Sequence, residues 1–481
     1  MSSAKYQVYR YRWVAILAYC LVWFIAQPIW LAFAPISSTV RQAFFLTGVS
    51  ETAITLLVII SLIAEIIVSI PIGVLVDKRG WVFCTGAGAI LTTTVGIVRV
   101  FSPDINWLLF FQFLQGVAMA FIFVSLTKAA VNWFPSGERA LAQGLGMFAN
   151  NLGMVVGLIV TPLLISMFGE YAPRTSLQNA LLVYGFVAAI ITVIFFVIAR
   201  EAPELPPEPW EETKPVPLRE GLSRIAGSRD YWLLASAFFL GFGIYIFLTD
   251  FIERMAWSNA PLIQKLIELY ISMYAPQYSF IFIRLEQTTG GLVSGVITLT
   301  GSVGMLLIPW FSDRVQRRKP FLLTLPIICI PMVYLLGTQS GNVLLISAAI
   351  FGFFLLALAP VLFETMVELR AVGPMLAGLG LGIMLTMGHL GSAVLPLVGG
   401  LFQESSFSYI IAELFYNHVI LANYWSSVLM NPVYYYLIAP PPLIQMPGTF
   451  FGAAVFFTIL MAIIPILAAF VRETGKAARE K

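Results

Sequence analysis

The chain has 481 residues, of which 59% are hydrophobic and 11% are charged. Soluble domains carry about 25% charged residues, so this composition excludes a soluble globular protein and indicates a membrane protein. The net charge is +3, and the cations lie at the ends of apolar runs, so we expect no nucleic-acid partner. The three cysteines fall inside apolar runs, without the spacing of a disulfide framework or a zinc site. We expect no metal and no cofactor.

Apolar runs of about 20 residues recur along the chain, which is the length that a helix needs to cross a bilayer. We predict an all-α polytopic membrane protein with twelve spans. The predicted ranges are 13–33, 52–76, 81–101, 107–131, 141–168, 177–199, 231–251, 290–311, 321–337, 343–367, 375–401 and 449–471. Residues 201–229 are rich in proline and charge and predict a linker. The linker separates an N-terminal half, 1–200, from a C-terminal half, 230–481.

Two segments of the C-terminal half interrupt this pattern. Residues 255–289 and 402–448 are long, aromatic and only moderately apolar. Tyrosines and prolines at 434–442 are typical of the lipid headgroup level. We predict two outer loops that carry interfacial helices, and a thirteenth span within 402–448 is the alternative.

Lysines and arginines concentrate on one side of this arrangement. With both termini in the cytoplasm, 20 of the 27 lie on the cytoplasmic side. That bias determines the orientation of membrane proteins. We expect a monomer in the lipid bilayer of the plasma membrane, with both termini cytoplasmic.

The short connection between the second and third spans, residues 73–80, reads GVLVDKRG. A carboxylate and two cations at a membrane surface, here Asp77, Lys78 and Arg79, are typical of a solvated hairpin. The alternative is a gate, in which the aspartate contacts the N-terminus of a helix from the other half, where the helix dipole favours negative charge. The pattern resembles the G-x-x-x-D-[RK]-x-G loop of the major facilitator superfamily, which implies the gate.

The C-terminal half repeats this arrangement. Its second span ends LLIPWFSDRVQRRK, so Pro309 and Asp313, followed by Arg314, correspond to Pro71 and Asp77. We therefore assign Asp313 and Arg314 to a second gate.

Another repeat lies in the fifth and eleventh spans, where Gly144 and Gly382 align at an offset of 382 − 144 = 238 residues. The same alignment pairs Asn151 with His389, both near the bilayer middle. Two halves related by such a repeat are the architecture of secondary transporters, with the substrate site between them. The sequence therefore favours a site that includes Asn151 and His389 over a packing contact.

Four stretches extend the resemblance to one family: IWLAFAPISSTVRQAF, VDKRG, KAAVNWFPSGERALA and ANNLGMVVGLIVTPLLI. They resemble solute-carrier family 49, which includes the feline leukaemia virus subgroup C receptor-related proteins and the disrupted-in-renal-carcinoma protein. The resemblance implies a major facilitator fold of two six-helix halves. The substrates assigned to that family are choline, ethanolamine, haem and pyridoxine-like vitamins.

The resemblance also implies site residues. The choline carriers of this family use a tryptophan in helix 1, a tyrosine in helix 7 and one glutamine each in helices 5 and 11. Trp30 and Tyr245 match the first two, Asn151 matches the third as a shorter amide, and His389 lies near the fourth. Histidine can be protonated near neutral pH, and a cationic His389 would repel a choline-like ligand.

Three further polar residues lie within the predicted spans. Glu65 is an intramembrane carboxylate and therefore a functional candidate, either as a proton-coupling group or in a pair with a cation or amide of its own half. Gln27 and Gln115 either line the same cavity or make interhelical hydrogen bonds.

These observations predict a secondary transporter that moves a small organic solute by alternating access. The favoured small-molecule substrate is an amine, a quaternary ammonium compound or a vitamin-like compound. The alternatives are a proton-coupled exporter of apolar cations, an organic-anion carrier that uses His389, and a receptor or sensor that kept the fold without transport. The sequence has no nucleophile–base pair of a hydrolase, and we expect no enzyme.

Overall fold

The computed structural model describes residues 6–44, 51–169, 173–208, 216–258, 280–404 and 451–474. Twelve helices within these ranges are long and apolar enough to cross a membrane, which confirms the all-α fold. Their bounds are α1 Arg12–Leu31, α2 Glu51–Arg79, α3 Trp81–Val98, α4 Ile105–Trp133, α5 Arg139–Phe168, α6 Pro173–Ile198, α7 Arg229–Ser258, α8 Phe280–Val315, α9 Lys319–Thr338, α10 Gly341–Glu368, α11 Ala377–Glu404 and α12 Phe451–Phe470.

Short helical segments surround the spans. Two are α-helical, Ser37–Ala43 after α1 and Leu218–Ala226 in the linker. A 3-10 turn, Pro374–Leu376, leads into α11. We call the side of the membrane that carries the α2–α3 turn, the α8–α9 turn and the linker the linker face, and the opposite side the far face.

The ends of α7 and α8 differ from the predicted ends. Residues 255–258 belong to α7 and residues 280–289 belong to α8, so both helices continue into the predicted outer loop 255–289, whose middle part lies outside the described residues. Hydropathy marks the membrane-crossing part of a helix, whereas backbone hydrogen bonding continues past the bilayer surface. Residues 402–404 belong to α11, and the rest of the second predicted loop, with the alternative thirteenth span, lies outside the described residues.

The predicted four-residue turn between α2 and α3 is a break of one residue. Asp77 and the two cations after it remain in α2, and only Gly80 leaves the helical conformation, with φ of +87°. Glycine adopts positive φ without steric cost. The chain therefore reverses directly at Gly80, which keeps Asp77 on a rigid helix.

A glutamate from the linker caps α3. Glu201 accepts hydrogen bonds from the backbone N–H groups of Trp81 at 3.0 Å and Val82 at 2.9 Å. Burial raises the pKa of the Glu201 carboxyl, although the two N–H groups favour its charged form. Glu473 has the same role in the other half, where it accepts from Arg318 N at 2.7 Å at the start of α9. The two halves thus share a capping device beyond the repeats that the sequence predicted.

The halves meet through close backbone contacts at the linker face. A Cβ atom on Gly73 of α2 would collide with the carbonyl oxygen of Gly378 of α11, and a Cβ on Gly378 would collide with that of Gly73. A Cβ on Gly144 of α5 would collide with the carbonyl oxygen of Met305 of α8. Small residues allow helices to approach this closely. The α2–α11 and α5–α8 contacts are therefore equivalent, as the repeat predicts.

Candidate substrate site and gates

A cavity of about 130 Å³ lies between the two halves. One water molecule needs about 10–15 Å³, so the cavity has room for a small organic molecule. Helices α1, α2, α4 and α5 of the first half and α7, α8, α10 and α11 of the second line it. Six of the predicted site residues are among the lining residues: Gln27, Trp30, Glu65, Asn151, Tyr245 and His389.

Aromatic rings on α7 form one wall of the cavity. Phe238, Phe242 and Tyr245 follow one another at spacings of four and three residues, which places them on one face of the helix. The rings of Phe238 and Phe242 are stacked with centroids 5.6 Å apart, and those of Phe242 and Tyr245 with centroids 6.3 Å apart. Of these three residues only Tyr245 was a predicted site residue, although the helical spacing of the three rings was a signal for the other two.

The first half supplies the facing rings. Trp23 and Trp30 lie two turns apart on α1, and Trp23 packs on Phe123 of α4 with ring centroids 5.3 Å apart. Trp23 and Phe123 were not among the predicted site residues. The cavity therefore has aromatic walls from both halves.

The polar centre of the cavity is a pair of residues from opposite halves. Glu65 Oε2 on α2 lies 3.6 Å from His389 Nε2 on α11. The side chains are 1% and 3% exposed. The distance suits an ion pair when the imidazole is protonated and is long for a hydrogen bond. The neighbour of Glu65 therefore lies in the opposite half, and not in its own half as the alternative of a structural pair held.

Several polar atoms at the cavity have no hydrogen-bond partner within the described parts of the chain. They are Trp23 Nε1, Gln27 Nε2, Glu65 Oε1 and His389 Nδ1, all of them buried. Buried polar atoms in native proteins are nearly always paired. Two donors, one carboxylate oxygen and one imidazole nitrogen thus lack a partner at the wall of the cavity.

The two predicted amides on α4 and α5 differ in position. Asn151 on α5 lines the cavity, where its Nδ2 lies 3.6 Å from Met305 Sδ of the other half. Gln115 on α4 does not reach the cavity, and its Nε2 donates to the Ala26 carbonyl oxygen at 3.2 Å. Met119 and Phe123, one and two turns farther along α4, line the cavity instead. The expectation of a substrate contact by Gln115 is corrected to an interhelical hydrogen bond between α4 and α1.

Asp77 joins the two halves at the linker face. Its carboxylate accepts hydrogen bonds from the N–H groups of Gly378 at 2.9 Å and Leu379 at 2.8 Å, in the first turn of α11. Lys128 Nζ of α4 lies 3.5 Å from the same carboxylate and donates to the Pro374 carbonyl oxygen at 3.0 Å. The hydrogen bonds to Gly378, Leu379 and Pro374 cross from one half to the other, so they close this face.

Asp313 makes the equivalent contact. It accepts a hydrogen bond from Leu141 N in the first turn of α5 at 2.9 Å and one from Arg318 Nη1 at 2.7 Å. Arg318 also donates to Glu368 at 3.0 Å and to the Ser136 carbonyl oxygen at 3.2 Å. Burial lowers the pKa of Arg318, but the surrounding carboxylates, led by that of Glu368, outweigh burial and raise the pKa above its ordinary value. Arg318 therefore remains a cation throughout the accessible pH range.

The remaining predicted gate cations are exposed. The Arg79 guanidinium lies 5.9 Å from the Phe83 ring centroid and that of Arg314 lies 3.9 Å from the Trp310 centroid, each within its own half. Lys78 is also exposed. Since successive residues point about 100° apart around a helix, the residues after each aspartate face away from the opposite half. The cations beside the aspartates are Lys128 and Arg318, so the assignment of Lys78, Arg79 and Arg314 is corrected.

Comparisons with known proteins agree with this geometry. The Major Facilitator Superfamily profile matches residues 12–396. Solute carrier family 49 member A3 of Danio rerio is 24% identical over 415 residues, covering 82% of this chain and 80% of the relative. The human choline/ethanolamine transporter FLVCR2 is 23% identical over 379 residues, covering 76% of this chain and 67% of the relative.

Solved structures share the fold. The fucose:proton symporter FucP of E. coli superposes with a TM-score of 0.66 at 15% identity, over 96% of this chain and 100% of the symporter. The human organic anion transporter MFSD10 superposes with a TM-score of 0.61 at 14% identity, over 95% of this chain and 99% of the transporter. At such identities the likeness concerns the fold alone.

Proposed function

Because this chain belongs to the major facilitator superfamily, we propose that it is a secondary transporter that carries a small organic cation by alternating access. The substrate class is an amine or a quaternary ammonium compound. The observation that carries the proposal is the central cavity, which both halves line with aromatic rings around one buried carboxylate, Glu65. Two relatives with similar sequences, from human and Danio rerio, are named choline/ethanolamine transporters, which supports this class.

An ammonium head suits these walls for two physical reasons. A cation within about 6 Å of an aromatic centroid gains about 2 kcal/mol or more when it is desolvated, and Trp30 and Tyr245 line the cavity from opposite halves. The Glu65 carboxylate supplies the countercharge. Asn151 and Gln27 then orient the polar end of the substrate through their amides.

An organic anion suits the same cavity poorly. It would require a protonated His389, and it would approach within a few ångströms of the Glu65 carboxylate, which lies 3.6 Å from the imidazole. Like charges at such a distance repel strongly where water is excluded. The anion alternative is therefore disfavoured, and we expect no covalent chemistry at this site.

We further propose how the halves move. Residues 1–200 and 230–481 rock against each other about the cavity, joined by the linker 201–229, with the linker face and both termini in the cytoplasm. The Asp77 and Asp313 contacts close the linker face. Opening that face requires both aspartates to release the helix N-termini of the opposite half.

Flux measurement tests this function. The full chain is purified and reconstituted in proteoliposomes, and uptake of labelled choline, ethanolamine and the organic anion succinate is measured against protein-free vesicles. Saturable uptake of one or both amines, and none of succinate, is expected. Uptake of succinate alone would establish the organic-anion alternative, and amine binding without uptake would establish the receptor alternative.

A further inference from the structure

The pair of Glu65 and His389 carries an inference beyond the transport of a cation, on which it rests. The two side chains come from opposite halves, lie 3.6 Å apart and are almost fully buried. The second carboxylate oxygen, Oε1, and the second imidazole nitrogen, Nδ1, have no hydrogen-bond partner within the described residues. One oxygen therefore faces the imidazole, while the other is buried and unpaired at the wall of the cavity.

Charge balance limits the states of this cavity. Among its described lining residues the titratable ones are Glu65, His389 and Tyr245. A bare carboxylate buried within a membrane is costly, and so is a cavity that holds a substrate cation and an imidazolium beside a single carboxylate. Two states carry no net charge. In one state Glu65 and His389 share one proton, and in the other a monovalent cation lies beside Glu65 while His389 is neutral.

The other charged and titratable side chains that the structure describes on the helices packed against α2 and α11 make their contacts elsewhere. Lys128 pairs with Asp77 at the linker face, and Arg99 donates to the Ile29 carbonyl oxygen and to Gln112 towards the far face. Helix α12 has no titratable residue between Phe451 and Phe470. On α1, Arg12 pairs with Glu138 and Tyr19 donates to Ile122. On α7, Arg229 lies over the Phe470 ring, Asp230 pairs with Arg472 and Tyr231 donates to Gly380. On α10, Glu364 accepts from Gln143 and Glu368 accepts from Arg318. Lys78 and Arg79 are exposed at the linker face, and the remaining groups are the thiols of Cys20 and Cys84.

We propose that Glu65 and His389 exchange one proton for one substrate cation, so that the protein is an electroneutral cation/proton antiporter. The ammonium group of the substrate approaches the Glu65 carboxylate and replaces the positive charge of the imidazolium. The N–H bond at His389 then breaks, the electron pair stays on the ring nitrogen, and the proton leaves with water through the open side of the cavity. On the other side of the membrane the sequence runs in reverse.

The position of the pair explains why the exchange is obligatory. Glu65 and His389 lie on α2 and α11, the same two helices that Asp77 joins at the linker face. Twelve residues separate Glu65 from Asp77 on α2, about 18 Å at about 1.5 Å per residue. The halves change conformation with the cavity neutral, carrying either the proton or the substrate. A cavity that holds neither the proton nor the substrate leaves the Glu65 carboxylate unpaired between the moving helices, so the halves do not change conformation in that state.

A pH gradient across proteoliposomes tests the exchange. Labelled choline and ethanolamine are the probes, the lumen is made acidic by one pH unit, and an internal pH-sensitive dye follows the protons. Wild type is expected to accumulate the cation about tenfold over its external concentration, because one-for-one exchange makes the two concentration ratios equal. The lumen should become less acidic in step with uptake. An inside-negative potential, imposed with valinomycin and potassium, should leave the rate unchanged.

Two substitutions separate binding from coupling. His389→Gln keeps the countercharge but cannot carry the proton, so exchange of labelled external choline for unlabelled choline in the lumen should persist, while accumulation against a gradient and proton movement are lost. Glu65→Gln should lose both uptake and proton movement. Glu220→Gln is the matched control, since Glu220 is exposed and pairs with Arg224 on the linker helix, and it should behave as wild type. A thermal unfolding profile of each variant in detergent verifies its folding. If Glu65→Gln does not fold, His389→Gln alone tests the proton exchange.

Two results overturn the proposal in different ways. Wild-type uptake that is the same with and without the pH gradient, with no movement of protons, would show facilitated diffusion and leave the proposed cation transport intact. Absence of both uptake and binding of the two amines under every gradient would overturn the exchange and the proposed function together.

Discussion

Replacement of one carboxylate at the linker face should open that face. Asp77 accepts two backbone hydrogen bonds from the first turn of α11, at 2.9 and 2.8 Å, and lies 3.5 Å from Lys128. In Asp77→Asn one N–H group keeps an acceptor, while the other faces an amide NH₂. A buried donor without an acceptor costs about 1–3 kcal/mol, and loss of the charge at the helix N-terminus costs about 0.3–1 kcal/mol more. We expect the closed-to-open equilibrium to shift by about 2–3 kcal/mol, or about 30- to 150-fold.

Distances between spin labels measure this shift. Labels are placed on cysteines at Arg79 and Arg370, which are exposed at the linker face on opposite halves, after the three native cysteines are replaced by alanine. The distance distribution of Asp77→Asn should move towards longer distances than in wild type. Asp104→Asn is the matched control, because Asp104 caps α4 within one half by accepting from Asn106 N and Trp107 N. An unchanged distribution in Asp77→Asn, or an equal change in Asp104→Asn, would refute the gate.

Three further predictions follow from the packing and the topology. Gly144→Ala places a Cβ against the Met305 carbonyl oxygen and should also lengthen the linker-face distances. Gly295→Ala on α8, where a Cβ meets open space, should leave those distances unchanged. Equal distance distributions in the two variants would contradict the close α5–α8 contact. Glu201→Ala removes the cap of α3 and should lower the free energy of unfolding by about 0.5–2 kcal/mol, measured by thermal unfolding, whereas Glu204→Ala, exposed in the same segment, should leave it unchanged. Single cysteines in place of Glu204 and Lys481 should resist an impermeant thiol reagent in intact cells, whereas a cysteine in place of Arg174 on the far face should be labelled. Labelling of the cysteine at position 481 would show an odd number of spans.

Much of the fold is encoded in local patterns. Apolar runs of spanning length predicted all twelve helices, and the paired Pro-Asp endings of the second and eighth spans predicted that the halves repeat. The repeat has a physical basis that the structure shows. Asp77 contacts the start of α11 and Asp313 contacts the start of α5, so each half supplies one acid and one helix N-terminus.

Side-chain contacts within the cavity could not be read from the sequence. Glu65 was found because a carboxylate at that depth is unusual, but its neighbour depends on how α2 rotates against α11. Gln115 shows the same limit. It lies on the same face of α4 as the cavity residues Met119 and Phe123 but one turn away from the cavity, where it donates to the Ala26 carbonyl oxygen instead. Trp23, Phe238 and Phe242 were not assigned to the site, because helical spacing places aromatic residues on one face of a span without telling whether that face meets lipid or a cavity.

Equilibrium binding of choline and ethanolamine to purified protein tests the central claim most directly, namely that an organic cation binds between aromatic walls of the two halves. Trp30→Ala and Tyr245→Ala should each weaken the affinity about 30-fold, which corresponds to the loss of about 2 kcal/mol from one cation–ring contact. Trp107→Ala should bind as wild type, because Trp107 is 51% exposed and lies outside the cavity. Wild-type affinity in both Trp30→Ala and Tyr245→Ala would contradict the claim.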